Sequence, residues 1–600
     1  MRLISANNIL FNSHDKTYNQ KTFYLFMQYE KLAQLYLNLS STTKRLEKID
    51  ILSLFLPEIK DEEAYILYLI EGNLYPNHDQ RKLGISEQLA IRSIAKSFGS
   101  TPEKVTQKWK ELGDLGEAAK DFCKNKKQAT LFGFSQLTTD KVLENLRKIP
   151  ELVGTGTEQH KLALITNLLM SAKPVEAQFL TRTLIGDMRI GVQESTIKTA
   201  ILKAFFEGNK DYEPIIQNAI DVKNDMAEVF KLSKTKDIGK LQEVKLEVGS
   251  PIRAMLAAKV SSAEEALEEL GAPLAAEYKY DGFRMLVHKK GNEIKLFTRS
   301  LEDVTKQFPE IEEYVKEYVK GDDFILDAEA VGYDKTTKEY TEFQAISQRI
   351  RRKHKIHELA EKLPVELAVF DVLFYNGISQ LEKPFQKRAE LVREIITEQE
   401  FKIVPSKMII SSNAEEITKF YKQALADNQE GLMFKRLDAE YKPGRRVSQM
   451  VKWKPEDKEL DLVIVGGEWG TGKRSGWISS FNLACQKDGK YLEIGKVGTG
   501  ISEKETEGNK LTFDNLTRLM KPLITNEDGK DVKVKPQIVV TVTYQDIQKS
   551  PTYSSGWALR FPRISHLRED KPLIEIATEE EVEDAFFSAK KKGYGGGNRY

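Results

Sequence analysis

The sequence has very few cysteines, no long apolar run and almost no net charge. Its 600 residues include only Cys123 and Cys485, which are too few for a four-cysteine zinc site or a disulfide framework. No stretch approaches the roughly 18 consecutive apolar residues of a membrane-spanning helix, and residues 1–5 lack a secretory pattern. These absences predict a cytoplasmic protein with no membrane partner.

The balance of charge limits how the chain could bind a polyanion. Its 91 basic and 90 acidic residues leave a net charge of +1, so any nucleic-acid contact must come from local basic faces rather than from an overall field. Hydrophobic residues make up 40% of the chain and charged residues 30%, which is typical of globular proteins. A chain of this length is expected to form three or four domains.

Hydrophobic periodicity divides the chain into five segments. Helical spacing begins near Met27, a candidate for the natural start, and continues through positions such as Ile91, Ile94 and Phe98. Alternating strand patterns follow, and a second strand-rich pattern closes the chain. The predicted segments are an N-terminal extension (1–26), an all-α domain (27–240), an α+β domain (241–456), a β-barrel of the OB-fold type (457–585) and a basic, glycine-rich tail (586–600).

Turn and capping residues predict several element boundaries. Gly99 is expected to end a helix, and Thr101-Pro102 to begin the next one. Two alternating segments, 283–289 and 293–299, flank a Lys-Gly-Asn turn and predict a hairpin. A short helix is predicted over 512–520.

One short motif is chemically more informative than the rest of the chain. Residues 277–284 read Glu-Tyr-Lys-Tyr-Asp-Gly-Phe-Arg, a strand pattern that ends in an Asp-Gly turn. A lysine becomes a nucleophile when burial or neighbouring cations favour its neutral form, and Lys279 has Arg284 nearby in sequence. The ordinary alternative is a surface strand with a turn lysine, and the motif alone does not decide between them.

Further polar residues follow this motif in a fixed order. Each has an ordinary explanation as a solvated strand-end acid, a core aromatic or a water-facing basic strand. Their shared order from Glu277 to Lys571 is hard to obtain by chance. The residues are Arg299, Glu329 at the end of an apolar strand, Phe370 within another, Glu430, the basic set Arg446, Lys452 and Lys454, and finally Arg560 and Lys571.

In the content and order of these motifs, the chain resembles the ATP-dependent DNA ligases of the archaeal and eukaryotic replicative type. The resemblance covers nearly the whole chain. It implies a helical DNA-binding domain, an α+β nucleotidyltransferase (adenylation) domain and an OB-fold domain. The implied function is sealing of nicks between a 5′-phosphate and a 3′-hydroxyl in duplex DNA, in replication, repair and recombination. The two cysteines disfavour the NAD-dependent ligases, which carry a zinc module.

The resemblance also implies a role for each site residue. Lys279 would attack the α-phosphate of ATP and carry AMP. The other implied roles are adenine recognition by Glu277, ribose binding by Arg284 and Glu329, purine stacking by Phe370, α-phosphate binding by Arg299, Arg446, Lys452 and Lys454, Mg²⁺ binding by Glu329 and Glu430, and orientation of the β- and γ-phosphates by Arg560 and Lys571. Preorganised cations are the main contribution a protein makes to phosphoryl transfer.

Two places in the helical region are candidates for DNA contact. Gly154, Gly156 and Thr157 precede a predicted helix, where glycines let backbone N–H groups approach a phosphate. Arg182 and Arg189 lie in a segment that resembles a ligase loop against the minor groove. The alternatives are an ordinary interhelix loop for the first and solvated arginines for the second.

A third segment of the helical region fits the peptide pattern of sliding-clamp partners. Gln128, Leu131 and Phe134 have the required spacing after a basic run, and a single 3₁₀ turn would bring Leu131 and Phe134 to one side. Apolar residues tucked into their own domain are the alternative. We expect nicked duplex DNA and a clamp resembling PCNA as partners of a monomer.

Other functions share parts of this pattern. RNA ligases and capping-type nucleotidyltransferases have the same lysine motif, but neither class usually carries a helical domain of this length ahead of it. A non-catalytic clamp-binding or DNA-binding scaffold would not need Lys279 together with its carboxylates and cations. A covalent adduct with labelled ATP, GTP or NAD would separate these hypotheses.

Overall fold

The structure is a computed structural model, in which the chain forms two compact units. The first unit comprises Met1–Arg253 and Ser300–Glu302, and the second comprises Ala254–Arg299 and Asp303–Tyr600. The residues it describes are 26–79, 81–125, 137–154, 156–341, 343–350, 352, 354–444, 446–456, 458–471, 474–503 and 511–593. The predicted extension and clamp segment therefore lie outside the described residues, apart from Phe26.

The first unit is helical, as the periodicity predicts. Its helices are Tyr29–Ser40, Arg45–Phe55, Ile66–Glu71, Glu87–Phe98, Pro102–Leu112, Leu115–Lys124, Thr139–Glu151, Thr157–Ser171, Pro174–Ile185, Glu194–Phe206, Glu213–Lys223, Met226–Lys234 and Ile238–Gln242. Ile91 and Ile94 are fully buried in its core. Gly99 ends one helix with a φ of +65°, and the Thr101 hydroxyl accepts a hydrogen bond from Lys104 N at the start of the next. Both predicted boundaries are confirmed.

The second unit combines strands with a few helices. Its strands are β1 (Leu256–Val260), β2 (Leu274–Lys279), β3 (Phe283–Lys290), β4 (Glu293–Thr298), β5 (Asp323–Gly332), β6 (Val365–Tyr375), β7 (Ile378–Ser379), β8 (Ile403–Pro405), β9 (Met408–Ser411), β10 (Gly431–Arg436), β11 (Arg446–Trp453), β12 (Lys458–Trp469), β13 (Ile478–Lys487), β14 (Lys490–Val497), β15 (Ile524–Asp528), β16 (Asp531–Tyr544), β17 (Asp546–Lys549), β18 (Trp557–Arg560) and β19 (Arg563–Leu567). Its helices are Ala263–Leu270, Pro309–Tyr318, Phe343–Ile350, Ile356–Lys362, Phe385–Ile395, Ala414–Ala426, Phe513–Met520 and Glu579–Gly593. The predicted hairpin (β3–β4) and the predicted short helix are both present.

Two mixed sheets form the α+β part of this unit. The first has the order β1-β11-β10-β2-β9, and the second has the order β4-β3-β5-β6-β7 with β8 beside β6. Most neighbouring strands are antiparallel, whereas β1–β11 and β6–β8 are parallel. The second sheet packs one face into an apolar core, and the first sheet packs one face into another core to which Val331, Ala368 and Val404 of the second sheet also contribute. The remaining faces carry the polar side chains.

The C-terminal part is a strand-rich domain. Its main sheet has the order β14-β13-β12-β16-β15 with β19 beside β16, and β17–β18 form a separate pair. The helix Glu579–Gly593 follows, and Phe586 packs on Trp557 with ring centroids 4.6 Å apart. The predicted tail therefore starts too early: residues 586–593 continue a helix that buries an aromatic ring.

None of the helices in the described ranges combines the length and hydropathy needed to cross a bilayer.

Candidate active site

The register of β2 and β10 puts several polar side chains on one face of the first sheet. Lys279 ends β2 and lies opposite Gly431, while Lys435 lies opposite Ala275. Because residues two apart in a strand share a face, Glu277 and Lys279 point to the same side as Lys435. Gly431 adopts a φ of +138°, and a Cβ at that position would lie 2.1 Å from the carbonyl oxygen of Trp453.

The next strand adds cations to the same face. Lys452 of β11 lies opposite Met433 of β10, and Lys454 follows two residues later. The alternate residues, such as Leu432 and Phe434, are fully buried in the apolar core. The sheet is therefore polar on one side and apolar on the other, and the predicted phosphate-binding lysines gather beside Lys279.

Glu430 holds two of these lysines. Its Oε2 lies 2.7 Å from Lys279 Nζ and 2.8 Å from Lys454 Nζ, and its backbone N–H donates to the Lys279 carbonyl. Burial would raise the pKa of Glu430, but the charges of Lys279 and Lys454 outweigh it and hold that pKa well below its usual range. An ionised carboxylate thus fixes the position of the Lys279 amine.

A surplus of positive charge surrounds this ion pair. Burial lowers the pKa of Lys452, and the nearby charges of Lys279, Lys454 and Arg299 lower it further. The four cations Lys279, Lys452, Lys454 and Arg299 therefore lie near Glu430. Such a group is suited to an anion with several charges, such as a polyphosphate.

The second sheet contributes a buried network around Arg284. The Arg284 Nε donates to Asp327 Oδ1 over 2.7 Å, and Asp327 is fully buried. The Tyr441 hydroxyl accepts from the guanidinium and donates to Asp327 Oδ2 over 2.8 Å. Glu329 lies directly opposite Arg284 on the neighbouring strand. Asp327 and Tyr441 therefore hold the Arg284 guanidinium in place.

Phe370 lies between cations from the two sheets. Its half-buried ring has the Arg284 guanidinium carbon 5.3 Å from its centroid and Lys435 Nζ 5.1 Å from it. A ring that is neither fully buried nor solvated can stack on a flat ligand. This placement brings the predicted purine-stacking residue beside Arg284 and beside Lys435, the ion-pair partner of Glu277.

Two acidic side chains are near enough to interact. Burial raises the pKa of Glu329 to about 8; Lys279 and Arg284 oppose this rise, and Glu430 adds to it. Among the described residues no cluster of three or more metal-ligating side chains occurs. One or two carboxylates with substrate oxygens and water are the usual ligands of Mg²⁺, so Glu329 and Glu430 fit such an ion.

The buried charges include two ion pairs that the motif does not reveal. Lys435 Nζ lies 2.6 Å from Glu277 Oε2, with both side chains almost wholly buried. Arg388 Nε donates to Asp371 Oδ1 over 2.7 Å, and Arg388 also donates to the carbonyl of Ala439. Burial raises the pKa of Glu277, and the charge of Lys435 opposes that rise.

The two predicted C-terminal cations have different surroundings. The Arg560 guanidinium carbon is 5.8 Å from the centre of the Phe343 ring, and the Phe343 N–H donates to Asp281 of the lysine motif over 3.3 Å. Lys571 instead forms an ion pair with Asp461, which also accepts from Arg568. Of these two cations, Arg560 is the one that contacts a residue, Phe343, hydrogen-bonded to the lysine motif.

The glycine loop of the helical unit has the expected local geometry. Gly154 and Gly156 have φ values of +94° and +80°, and Gly156 precedes the helix that starts at Thr157 without a side-chain cap. The Thr157 hydroxyl donates to the Gly154 carbonyl over 2.6 Å. Uncapped N–H groups at a helix start can bind a phosphate.

Arg182 does not have the exposure that direct DNA contact requires. Its side chain is 7% exposed, and its NH2 lies 2.7 Å from Asp114 Oδ2. Arg189, whose side chain is 23% exposed, pairs with the same oxygen over 3.1 Å and with Asp187. This corrects the assignment of Arg182 as a DNA ligand, because the buried pair uses its guanidinium to hold the loop.

Some predicted residues cannot be placed. Gln128, Leu131 and Phe134 lie outside the described residues, and the structure describes the backbone of Arg446 at the start of β11 but not its side chain. Conversely, sequence reasoning assigned no site role to Asp327, Tyr441, Lys435 or the Asp371–Arg388 pair. Asp327 lies two residues before Glu329 in the same strand, so alternation could have identified it.

Comparisons with protein families match three stretches of the chain. Residues 28–202 match the family described as DNA ligase N terminus. Residues 254–454 match the ATP dependent DNA ligase domain, and residues 474–571 match the ATP dependent DNA ligase C terminal region. The middle match contains Lys279 and the other site residues of the two mixed sheets.

Whole-chain relatives agree with these matches. A DNA ligase of Nanoarchaeum equitans is 42% identical over 562 residues, covering 93% of this chain and 98% of that protein. A DNA ligase of Thermococcus fumicolans is 38% identical over 573 residues, covering 94% and 100%. The solved structure named Pmar-Lig_PreS3 is 18% identical with a TM-score of 0.54, covering 89% of this chain and 99% of that chain, which is a likeness of fold.

Proposed function

The chain belongs to the ATP-dependent DNA ligases, and from this premise we propose how its residues carry out nick sealing. It is an enzyme, and its substrate is nicked DNA. The observation that carries the residue-level proposal is the position of Lys279 at the end of β2, held by Glu430 among cations. The reaction proceeds through a lysine–AMP intermediate, in replication, repair and recombination.

The face between the two sheets binds ATP. Phe370 stacks on the purine, Glu277 accepts a hydrogen bond from the adenine amino group, and Arg284 with Glu329 holds the ribose. The buried Asp327 and Tyr441 keep the Arg284 guanidinium in place. These roles are supported by the contacts of Phe370 with Arg284 and with Lys435, which in turn pairs with Glu277.

The phosphates lie against the cationic group beside Lys279. Lys279 leaves its ion pair with Glu430, gives its protons to water and attacks the α-phosphorus; an N–P bond forms and the bond to pyrophosphate breaks. Arg299, Arg446, Lys452 and Lys454 balance the charge on the phosphate oxygens. Glu430 and Glu329 would hold Mg²⁺, which supplies charge neutralisation at those oxygens.

Two further steps complete the reaction. The AMP moves from Lys279 to the 5′-phosphate of the nick, which forms a pyrophosphate linkage and restores the lysine amine. The 3′-hydroxyl of the nick then attacks that phosphate, a phosphodiester bond forms, and AMP leaves. The cationic group that served the α-phosphate also serves the transferred phosphate, because the charge that develops is the same.

The domain roles follow the predicted division. The helical domain (27–240) binds the sugar–phosphate backbone of duplex DNA. Gly154, Gly156 and Thr157 bind a phosphate. Arg189 contributes from a loop that the Arg182–Asp114 ion pair holds in place. The adenylation domain is 241–456. The strand-rich domain from 457 is an OB-fold that presents Arg560 and Lys571. Contacts that read shape and phosphate suit an enzyme that must act at any sequence.

A direct assay tests this function. The protein is incubated with ATP, GTP or NAD labelled in the α-phosphate or adenylate part, and a covalent adduct is sought before nicked duplex DNA is added. We expect an adduct with ATP and Mg²⁺ and its loss on addition of the nick, with a sealed strand as product. An adduct with GTP alone would favour a capping-type enzyme, and sealing of nicked RNA but not DNA would favour an RNA ligase.

Replacing Phe370 by leucine tests the stacking role. Phe370→Leu keeps apolar volume but removes the flat ring, so the ATP concentration needed for half-maximal adduct formation should rise several-fold, equivalent to about 1 kcal/mol. The melting temperature should change little, because the ring is only half-buried. Both quantities are measured on the purified variant.

The control is Phe324→Leu, because Phe324 is fully buried on β5. It should lower the free energy of unfolding by about 1 kcal/mol and leave the ATP requirement unchanged. If Phe370→Leu behaves as this control does, Phe370 is a core residue and the stacking role is wrong.

The segment with Gln128, Leu131 and Phe134 binds a sliding clamp, and the chain acts as a monomer. Replacing Leu131 and Phe134 together by alanine should abolish clamp binding and clamp-stimulated sealing, because an apolar pocket loses both anchors. Sealing of a short nicked duplex without clamp should persist. Binding is measured by titration with the purified clamp.

The matched control for the clamp variant is Ile574→Ala, which removes an apolar side chain that is 81% exposed in the C-terminal region. It should bind the clamp normally. Normal binding by the double variant, or loss of its unstimulated sealing, would contradict this assignment.

A further inference from the structure

A buried ion pair lies next to the residue proposed to recognise the base. Lys435 Nζ is 2.6 Å from Glu277 Oε2, and the two side chains are 5% and 3% exposed. The pair is diagonal across β2 and β10, since Lys435 lies opposite Ala275. Removing two ions from water is costly, and replacing such a pair by apolar residues is often neutral or stabilising. Its presence here is therefore poorly explained by stability alone.

The ammonium of Lys435 also touches the predicted base-stacking position. Its Nζ is 5.1 Å from the centre of the Phe370 ring and 4.3 Å from that of Phe385. Lys435 thus contacts both Glu277 and Phe370, the two residues assigned to the purine.

We infer that Lys435 determines nucleotide specificity, because its positive charge keeps Glu277 ionised and so restricts that carboxylate to accepting hydrogen bonds. The inference rests on the proposed role of Glu277. Adenine presents an amino group at the position where guanine presents a carbonyl oxygen. An ionised carboxylate can only accept, so it pairs with adenine and repels guanine, whereas a protonated carboxyl group can donate to guanine.

The surroundings of Glu277 make its ionisation depend on Lys435. The charged or titratable groups that interact with it are Lys435 of β10, Asp371 of β6, Arg393 of the helix Phe385–Ile395 and Tyr280 just beyond β2. Burial and Asp371 raise the pKa of Glu277, while Lys435 and Arg393 lower it. Arg388 already pairs with Asp371. Removing Lys435 leaves a buried carboxyl group that is neutral below its raised pKa, so the fraction protonated grows as the pH falls.

The test measures adduct formation with α-labelled ATP and α-labelled GTP across the pH range. In Lys435→Met the ratio of ATP to GTP labelling should fall by about tenfold at the acidic end of the range. This factor corresponds to the one hydrogen bond that protonated Glu277 would donate to guanine. The ratio should recover as the pH rises. The wild type should keep a higher ratio than Lys435→Met at the acidic end, because Lys435 opposes the rise in the pKa of Glu277. Lys435→Arg retains the charge and should restore a high ratio at every pH.

Variants of Glu277 test whether its carboxyl group causes the change in the ratio. Glu277→Gln, whose amide can both donate and accept, should have a low ratio that does not vary with pH, and adding Lys435→Met should not lower it further. If Lys435→Met reduces ATP and GTP labelling equally, or changes the ratio without pH dependence, Lys435 is only structural and the inference is wrong. If Lys435→Met does not fold, Lys435→Gln is measured in its place against the same criteria.

The wild-type reaction separates this inference from the function on which it rests. Failure of the wild type to form an adduct with ATP would overturn the assignment of Lys279 and Glu277. A wild type that is labelled by ATP, together with an unchanged ratio in a folded Lys435 variant, would overturn the specificity role alone.

Discussion

Lys279→Arg is expected to form no covalent adduct with AMP. A guanidinium cannot be deprotonated in proteins, so it keeps its charge and its ion pair with Glu430 but has no free electron pair for the α-phosphorus. The wild-type adduct should be labile in acid and stable in alkali, as an amine–phosphate bond is. The measurement is labelling from α-labelled ATP, with the modified residue located by mass spectrometry.

The matched control is Lys259→Arg on β1 of the same sheet, where the side chain is exposed; its labelling should be normal. Lys279→Arg should still seal a nick whose 5′-phosphate already carries AMP, because that step needs no lysine nucleophile. Normal labelling of Lys279→Arg, or an adduct at another residue, would show that the nucleophile lies elsewhere.

Arg560→Ala is expected to lose most self-adenylation while it keeps the last step. If Arg560 orients the β- and γ-phosphates in line with Lys279, it acts only while those phosphates are present. Removing one such group costs about 10²- to 10³-fold in rate. Lys571→Ala should have the same selectivity for the first step. Rates are measured separately for adduct formation and for sealing of a pre-adenylated nick.

The control is Lys549→Ala, which removes an exposed cation from β17, the partner strand of β18. Both of its rates should be normal. If both rates fall equally in Arg560→Ala, the residue acts on DNA or on folding. If Lys571→Ala keeps its adenylation rate, its ion pair with Asp461 is its whole function.

Local sequence was sufficient for the elements that carry the site. Alternation and turn residues predicted the strand that ends at Lys279 and the hairpin that follows, because both patterns are short-range. Apolar runs predicted the strands that contain Glu329 and Phe370, although Glu329 lies within its strand, which continues to Gly332, rather than at the end. The family resemblance, rather than the pattern, supplied their roles.

The errors and omissions come from contacts between distant segments. Lys435 meets Glu277 through the register of two strands far apart in sequence, and no local pattern sets that register. Arg182 finds Asp114 at a separation of 68 residues, so its burial cannot be read from its neighbours. Tyr441 lies outside any regular strand, where periodicity gives no information.

Position 431 has a consequence for anyone who diversifies this enzyme. A side chain there would collide with the main chain of Trp453 and would also meet the ring of Tyr421 at 3.2 Å. Neither neighbour is a flexible tip that could move aside, since Tyr421 is stacked on Trp453 at 3.8 Å. A mutational scan should therefore find position 431 intolerant of every substitution, alanine included, although its residue carries no functional group. Libraries that aim to alter the nucleotide used should leave it fixed and vary position 435 instead.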